Sequence, residues 1–205
     1  MEYVLETNAL TKRYRGSIAL DGLTMRIPQG AIYGFVGRNG AGKTTLIRLI
    51  CGLQAPTGGS YTLYGAKYPD PRLARARRRM GAVVETPSIY LGMTAAENLR
   101  QQYRVLGLPS ERGISDLLRL VGLEGAGSKR ARAFSLGMRQ RLGIAMALAG
   151  RPDLLLLDEP TNGLDPQGMI EMRELILKLN REQGITFLIS SHILDELARL
   201  ATHYG

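Results

Sequence analysis

The chain has 205 residues, 44% hydrophobic and 22% charged, a balance that fits a globular protein with a real core. Its longest apolar run, around Leu142–Ala149, falls well short of a bilayer span, and a lone cysteine, Cys51, excludes an internal disulfide. A formal charge of +9, from 27 basic and 18 acidic residues, is compatible with nucleic acid, an anionic membrane surface or a phosphate-rich ligand.

Strands joined by turns are expected over the first 35 or so residues, with Pro28-Gln29-Gly30 as a turn signal. No basic-then-apolar leader precedes them, so a cytoplasmic protein is expected. AIYGFVG at 31–37 reads as a buried strand, and Leu46, Ile47, Ile50 and Leu53 follow at helical period, closed near Gly52. GSYTLYG and GAVVE at 81–85 read as further strands, and the dense basic run RLARARRRM at 72–80 between them as a solvated helix face. From Thr94 to Gly150 the pattern is helical, with a capping box at Thr94 and Glu97 and a period through Met138, Leu142, Ala145, Met146 and Ala149. LLLLD at 154–158 is a buried strand, Pro166 to Gln183 a helix, ITFLIS at 185–190 a strand, and a last helix starts at Ile193. Strands alternating with helices imply a mainly parallel sheet covered on both faces, with the middle helical stretch inserted. The chain stops at HYG, shortly after that last helix begins its third turn, and reads as cut rather than completed.

GRNGAGKTT at 37–45 follows one strand and opens a helix. Its glycines let backbone N–H groups wrap a phosphate while the helix N-terminus adds partial positive charge. Gly37, Arg38, Asn39, Gly40, Ala41, Gly42, Lys43, Thr44 and Thr45 are the candidate nucleotide-binding residues. Lys43 would reach the β and γ phosphates, and the Thr44 hydroxyl would ligate Mg²⁺. LLLLDEP ends a buried strand in two carboxylates: Asp158 suits a Mg²⁺ site, and Glu159, turned the other way, could polarise a water for attack on the γ phosphate. His192, at another strand's C-terminal edge, could bond the γ phosphate and orient Glu159. AFSLGMRQRLG at 133–143 looks built to hold an anion at a helix start, yet nothing nearby in sequence completes a phosphate site.

In this order the motifs resemble the nucleotide-binding subunit of ABC transporters, and the resemblance covers essentially the whole chain. It implies an α/β fold: a P-loop NTPase core with a mainly parallel sheet, an N-terminal antiparallel β subdomain and an inserted α-helical subdomain at about 94–150, all in one domain over 1–205. FSLGM stands where the family usually has Leu-Ser-Gly-Gly-Gln, departing at Phe134, Leu136 and Met138 and retaining Ser135 and Gly137. In this family two subunits pair head to tail, so Ser135 and Gly137 would close over ATP held by a partner. The resemblance further implies that Tyr14 stacks on adenine and that Asp165 lies in the loop touching the opposing subunit, although Asp165 can also cap the helix at Pro166. Glu85 stands where the family usually has Gln, a metal and water ligand. With FSLGM, it is similar to the branch of bacitracin-resistance and lantibiotic-immunity exporters.

The implied function is an ATPase subunit, with ATP and Mg²⁺ as cofactors and Glu159, His192 and Lys43 as catalytic residues. Its partners would be a second nucleotide-binding subunit, identical or not, and a transmembrane permease chain; no specific nucleic acid is expected. The protein would sit at the inner face of the cell membrane through that permease, and residues around Ile89, Tyr90 and Leu91 would meet it. Two other readings compete: an ABC-type ATPase acting on nucleic acid or the ribosome, which the basic charge favours, and a binding module without hydrolysis, which Glu159 and His192 oppose.

Overall fold

Two long strands, β1 (Tyr3–Tyr14) and β2 (Ser17–Pro28), open the computed structural model, which describes residues 2–205. They pair as an antiparallel hairpin, and β4 (Gly58–Leu63) adds to the other edge of β1, followed by the short β5 (Ala66–Lys67). A second, wholly parallel sheet has the order β6 (Met80–Val83), β7 (Leu154–Asp158), β8 (Thr186–Ser191), β3 (Ile32–Val36) and β9 (His203–Tyr204). Strands buried on both faces lack the polar alternation of a half-exposed strand, which is why IYGFV and LLLLD read as unbroken apolar runs.

Successive residues of each strand feed opposite cores. Tyr33, Phe35, Leu154, Leu156 and Leu188 pack toward the N-terminal sheet and α1 (Lys43–Cys51), against Leu46, Leu49 and Ile50. Ile32, Val83, Leu155, Leu157, Phe187 and Ile189 pack on the other side, against α3 (Ala95–Val105), α4 (Ile114–Leu120), α5 (Leu136–Leu148) and α6 (Pro166–Gln183). Each such fully buried side chain is worth about 1.5–3 kcal/mol. The expected helical stretch from Thr94 to Gly150 thus holds α3, α4 and α5. Its entry is fixed by the expected capping box: Glu97 N–H donates to Thr94 Oγ1 and Thr94 N–H to the Glu97 carboxylate.

Three sequence expectations are corrected. The basic run is the expected solvated face except at one residue: Arg72, Arg75, Arg78 and Arg79 are exposed on or beside the short helix α2 (Leu73–Arg77), whose Leu73 and Ala76 are buried. Arg77 is half-buried: its guanidinium donates to the Ile50 carbonyl at 3.0 Å and to the Tyr61 hydroxyl, tying α1 to β4. The strand expected over 81–85 ends at Val83, because Glu85 takes a left-handed backbone with φ 58°. The last helix, α7 (Leu194–Ala198), is short, and the chain then turns into β9. That edge strand is held by Thr202 N–H to Ile32 O and Gly205 N–H to Gly34 O, pairings across the length of the chain that local periodicity does not reveal.

The sheet meets α5 closely at Gly81, where a Cβ would stand 2.5 Å from the Ala147 carbonyl oxygen and 2.7 Å from Leu155 Cδ2. Gly81→Ala should therefore push α5 off the sheet and lose about 1–3 kcal/mol in urea unfolding. An unchanged midpoint would show that α5 has slack there.

Farther along, α5 is braced to α6 by Arg141, which donates to the Glu171 carboxylate. Glu171 is held below its ordinary value of 4.5, first by that bond and then by Gln167. A depressed folded-state pKa stabilises the fold above the ordinary value, and that stability is lost as pH falls through the lower one. Glu171→Gln should therefore melt below the parent at neutral pH and converge with it well under pH 4.5; a gap that persists in acid would refute the ion pair's contribution.

Candidate functional site

The parallel register brings three strand ends together. β8 lies between β3 and β7, with Val36 opposite Ser191 and Asp158 opposite Ser190. Beyond β3 the chain forms the glycine-rich loop and enters α1 at Lys43. Asn39, Gly40, Gly42, Lys43, Thr44, Thr45 and Glu159 line one cleft of about 240 Å³ with Ala19 and Asn162. Open α/β sheets bind ligands at such a carboxyl edge.

Lys43 is buried, at 6% exposure, and its ammonium is fully partnered. It donates to the carbonyls of Gly37 (2.6 Å) and Arg38 (3.1 Å) and pairs with Glu159 Oε1 at 3.1 Å. The Thr44 hydroxyl donates to Asp158 Oδ2 at 2.7 Å, and the Ser190 hydroxyl donates to Asp158 Oδ1 at 2.5 Å. Glu159 takes a left-handed backbone, φ 50°, and its N–H is held by Ser190 O at 3.1 Å and Ser190 Oγ at 3.0 Å. That turn sends the two carboxylates to different partners. His192 Nδ1 lies 2.6 Å from Glu159 Oε2, so with the carboxylate ionised Nδ1–H donates to it.

Other expected site residues stand elsewhere. Ser135 caps α5, its Oγ accepting from Met138 N–H at 3.2 Å, and Asp165 caps α6, accepting from Gly168 N–H at 3.2 Å. Ser135 and Asp165 are exposed, Gly137 is half-buried, and none of the three lines the cleft. Ala41 completes the loop turn, its N–H donating to Arg38 O. Tyr14 is exposed at the end of β1, with its hydroxyl on Gln54 and Lys12 Nζ 5.2 Å from its ring centre. Glu85 is also exposed and takes Arg48 of α1 as partner at 2.6 Å; it is not among the cleft-lining residues. Around it, Tyr90 and Leu91 are exposed, whereas Ile89 packs against the core.

Sequence reasoning missed Ser190, Asn162 and Asn98. A serine ending an otherwise apolar strand was the available signal for Ser190. Asn98 is fully buried in α3 and bonds the N–H and carbonyl of Tyr90, pinning the loop before the helix.

The family described as ABC transporter matches residues 20–162. The chain belongs to the ABC transporter family. It is 47% identical, over its whole length, to the bacitracin transport ATP-binding protein BcrA of Bacillus licheniformis, covering 67% of that relative. It is 42% identical over 98% of its length to the lantibiotic transport ATP-binding protein SrtF of Streptococcus pyogenes, covering 86% of it. The dimeric ATP-binding cassette MJ0796, solved in a post-hydrolysis state with ADP and Pi, superposes with a TM-score of 0.82 at 26% identity, over 94% of this chain and 89% of that one. The chain spans about two-thirds of the length of the BcrA relatives, 67% and 66%. Among the described residues of this ABC family member, no helix is long and apolar enough to cross a membrane.

Two loop glycines differ in what they tolerate. At Gly42, φ 90°, a Cβ would stand 2.0 Å from the Ala19 carbonyl oxygen, while at Gly40, φ 81°, it would meet open space. Gly40→Ala should cost only the left-handed strain, about 1–2 kcal/mol. Gly42→Ala should add a backbone clash, exceed that loss in thermal melting and abolish binding of a fluorescent ATP analogue. Equal effects of the two would show that the loop is free to move off β2.

Proposed function

We propose that this chain binds ATP and Mg²⁺, hydrolyses ATP as one member of a pair, and drives a separate membrane-embedded permease. The observation that carries the reading is the run of contacts from Lys43 through Glu159 to His192, beside the Thr44–Asp158 pair at one sheet edge. Family membership and the transport names of BcrA and SrtF support it. The net charge alone favours the nucleic-acid reading, and no site residue adds to it.

In this reading the loop N–H groups and Lys43 receive the phosphates, and Lys43 exchanges carbonyl partners for phosphate oxygens. The oxygen donors of Thr44 and Asp158 fit a small hard cation that keeps phosphate and water in its shell. Bound there, Mg²⁺ would neutralise charge building on the phosphates. Glu85, whose Oε1 pairs with Arg48, would join that shell through its other carboxylate oxygen. Glu159 orients the attacking water, and His192 holds Glu159 in place. For His192 also to donate to the γ phosphate, both ring nitrogens must carry protons. Tyr14 supplies a face for adenine, and Ser135, Gly137 and Asp165 serve a neighbour's site. The exposed Tyr90 and Leu91 suit contact with the permease. The cargo class suggested by the relatives is a peptide antibiotic or similar amphiphile, moved outward. Catalysis is then positioning and electrostatics.

Glu159→Gln should retain ATP binding, lower phosphate release by about 10²–10⁴-fold and accumulate an ATP-bound dimer in sedimentation. A variant that stays single and hydrolyses at the parental rate would remove Glu159 from this role.

A further inference from the structure

Two leucines cross between the segments that the proposed function offers to a neighbouring copy. Leu136, the first residue of α5, reaches Gly163: a Cβ there would stand 3.1 Å from Leu136 Cδ2. In return Leu164 Cδ2 stands 3.7 Å from the Cβ position of Gly137. Gly163 has φ 75°, so the loop there both turns through a left-handed residue and leaves room for the leucine. Leu164 packs against the main core, while Leu136 remains 39% exposed.

The loop behind this joint begins in the chain's own cleft. Glu159 and Asn162 line the cleft, and Asn162 N–H donates to the Glu159 carbonyl at 3.0 Å. Leu164 N–H then donates to Thr161 O at 3.1 Å, and the loop closes on Asp165 at the start of α6. Residues 159–165 are therefore one hydrogen-bonded turn, with a cleft residue at one end and the leucine joint near the other. Ser135 and Gly137 flank Leu136 directly. The Arg141–Glu171 bridge holds the two helices together beyond the joint.

We propose that Leu136 and Leu164 are positioning residues that tie the Ser135–Gly137 helix end to the 159–165 loop, so that the piece offered to a neighbour follows the chain's own nucleotide cleft. This rests on the paired-copy reading above and adds what joins the two half-sites within each copy. Leu136→Ala would leave the helix start intact, because Ser135 Oγ and the Met138 N–H do not use the leucine and alanine is a good helix former. Only the link to the loop would go.

The test uses the full-length protein carrying Glu159→Gln, in which ATP-driven pairing is followed by sedimentation over a range of protein concentrations. ATP affinity of the single chain and thermal melting are measured alongside. Leu136→Ala should raise the concentration for half-pairing about ten-fold while leaving single-chain ATP affinity and melting nearly unchanged. Leu136→Met, which can still reach Gly163, should restore pairing. Leu164→Ala should act in the same sense, and the double variant should be no worse than the weaker single one, because both break one joint. Multiplied effects would mean that Leu136 acts only by touching the neighbour, and unchanged pairing in Leu136→Ala would also overturn the proposal. A parent that stays single at saturating ATP would bring down the paired-copy reading itself, and the tether with it.

Discussion

Both carboxylate residues of the cleft are held by Ser190. Asp158 and Glu159 are adjacent in sequence, yet one must face Thr44 and the other Lys43 and His192. An ordinary strand continuation would leave Glu159 along the sheet edge. Instead its backbone enters the left-handed region, a strain of order 1–3 kcal/mol for a non-glycine residue. Ser190 offsets it: the Glu159 N–H is held by the Ser190 carbonyl and hydroxyl oxygens, while the same hydroxyl donates to Asp158. One buried serine on the middle strand thus aims both carboxylates. The register of β8 between β3 and β7 is what puts it there.

The same edge resolves an electrostatic difficulty. A buried ammonium needs its three donors satisfied, and Lys43 finds three oxygens: two loop carbonyls and Glu159. The Glu159 carboxylate is in turn shared between Lys43 and His192, one oxygen to each. Its negative charge is therefore compensated before any phosphate approaches, and its orientation is set by two partners, one at the start of α1 and one just past the end of β8. Asp158, at 2% exposure, is similarly enclosed by two hydroxyls that can rotate to suit a cation or a proton.

Local chemistry made much of this legible from residues alone. LLLLD and Pro166–Gln183 fall where the apolar run and the N-terminal proline put them, and the Thr94–Glu97 box is a signal complete within four residues. The glycine-rich loop reads directly because each element of it (turn, helix start and lysine) is contiguous. What escaped is non-local. Arg77 looked like one more solvated cation in a basic run, because its partners Ile50 and Tyr61 lie outside that run. Arg48, which occupies Glu85, is 37 residues away in sequence and invisible to any periodicity. β9 is two residues long and exists only through pairing with β3.

The departures in FSLGM have an explanation inside the chain. Phe134 is buried in the core at 3% exposure, and its carbonyl accepts from two nitrogens of Arg139, folding that arginine back onto the turn. Met138 packs beside the same core, and Leu136 fills the space over Gly163. All three apolar substitutions therefore serve intrachain packing. The two retained residues behave differently. Ser135 caps the helix, a job Thr, Asp or Asn also does well. Gly137 leaves a Cβ at 3.7 Å from Leu164, an ordinary contact that alanine would satisfy. Packing within the chain thus gives no reason for a glycine at that position. In the paired-copy reading proposed above, a phosphate approaching the helix start from outside would, since a bare backbone admits the closest contact with the N–H groups there.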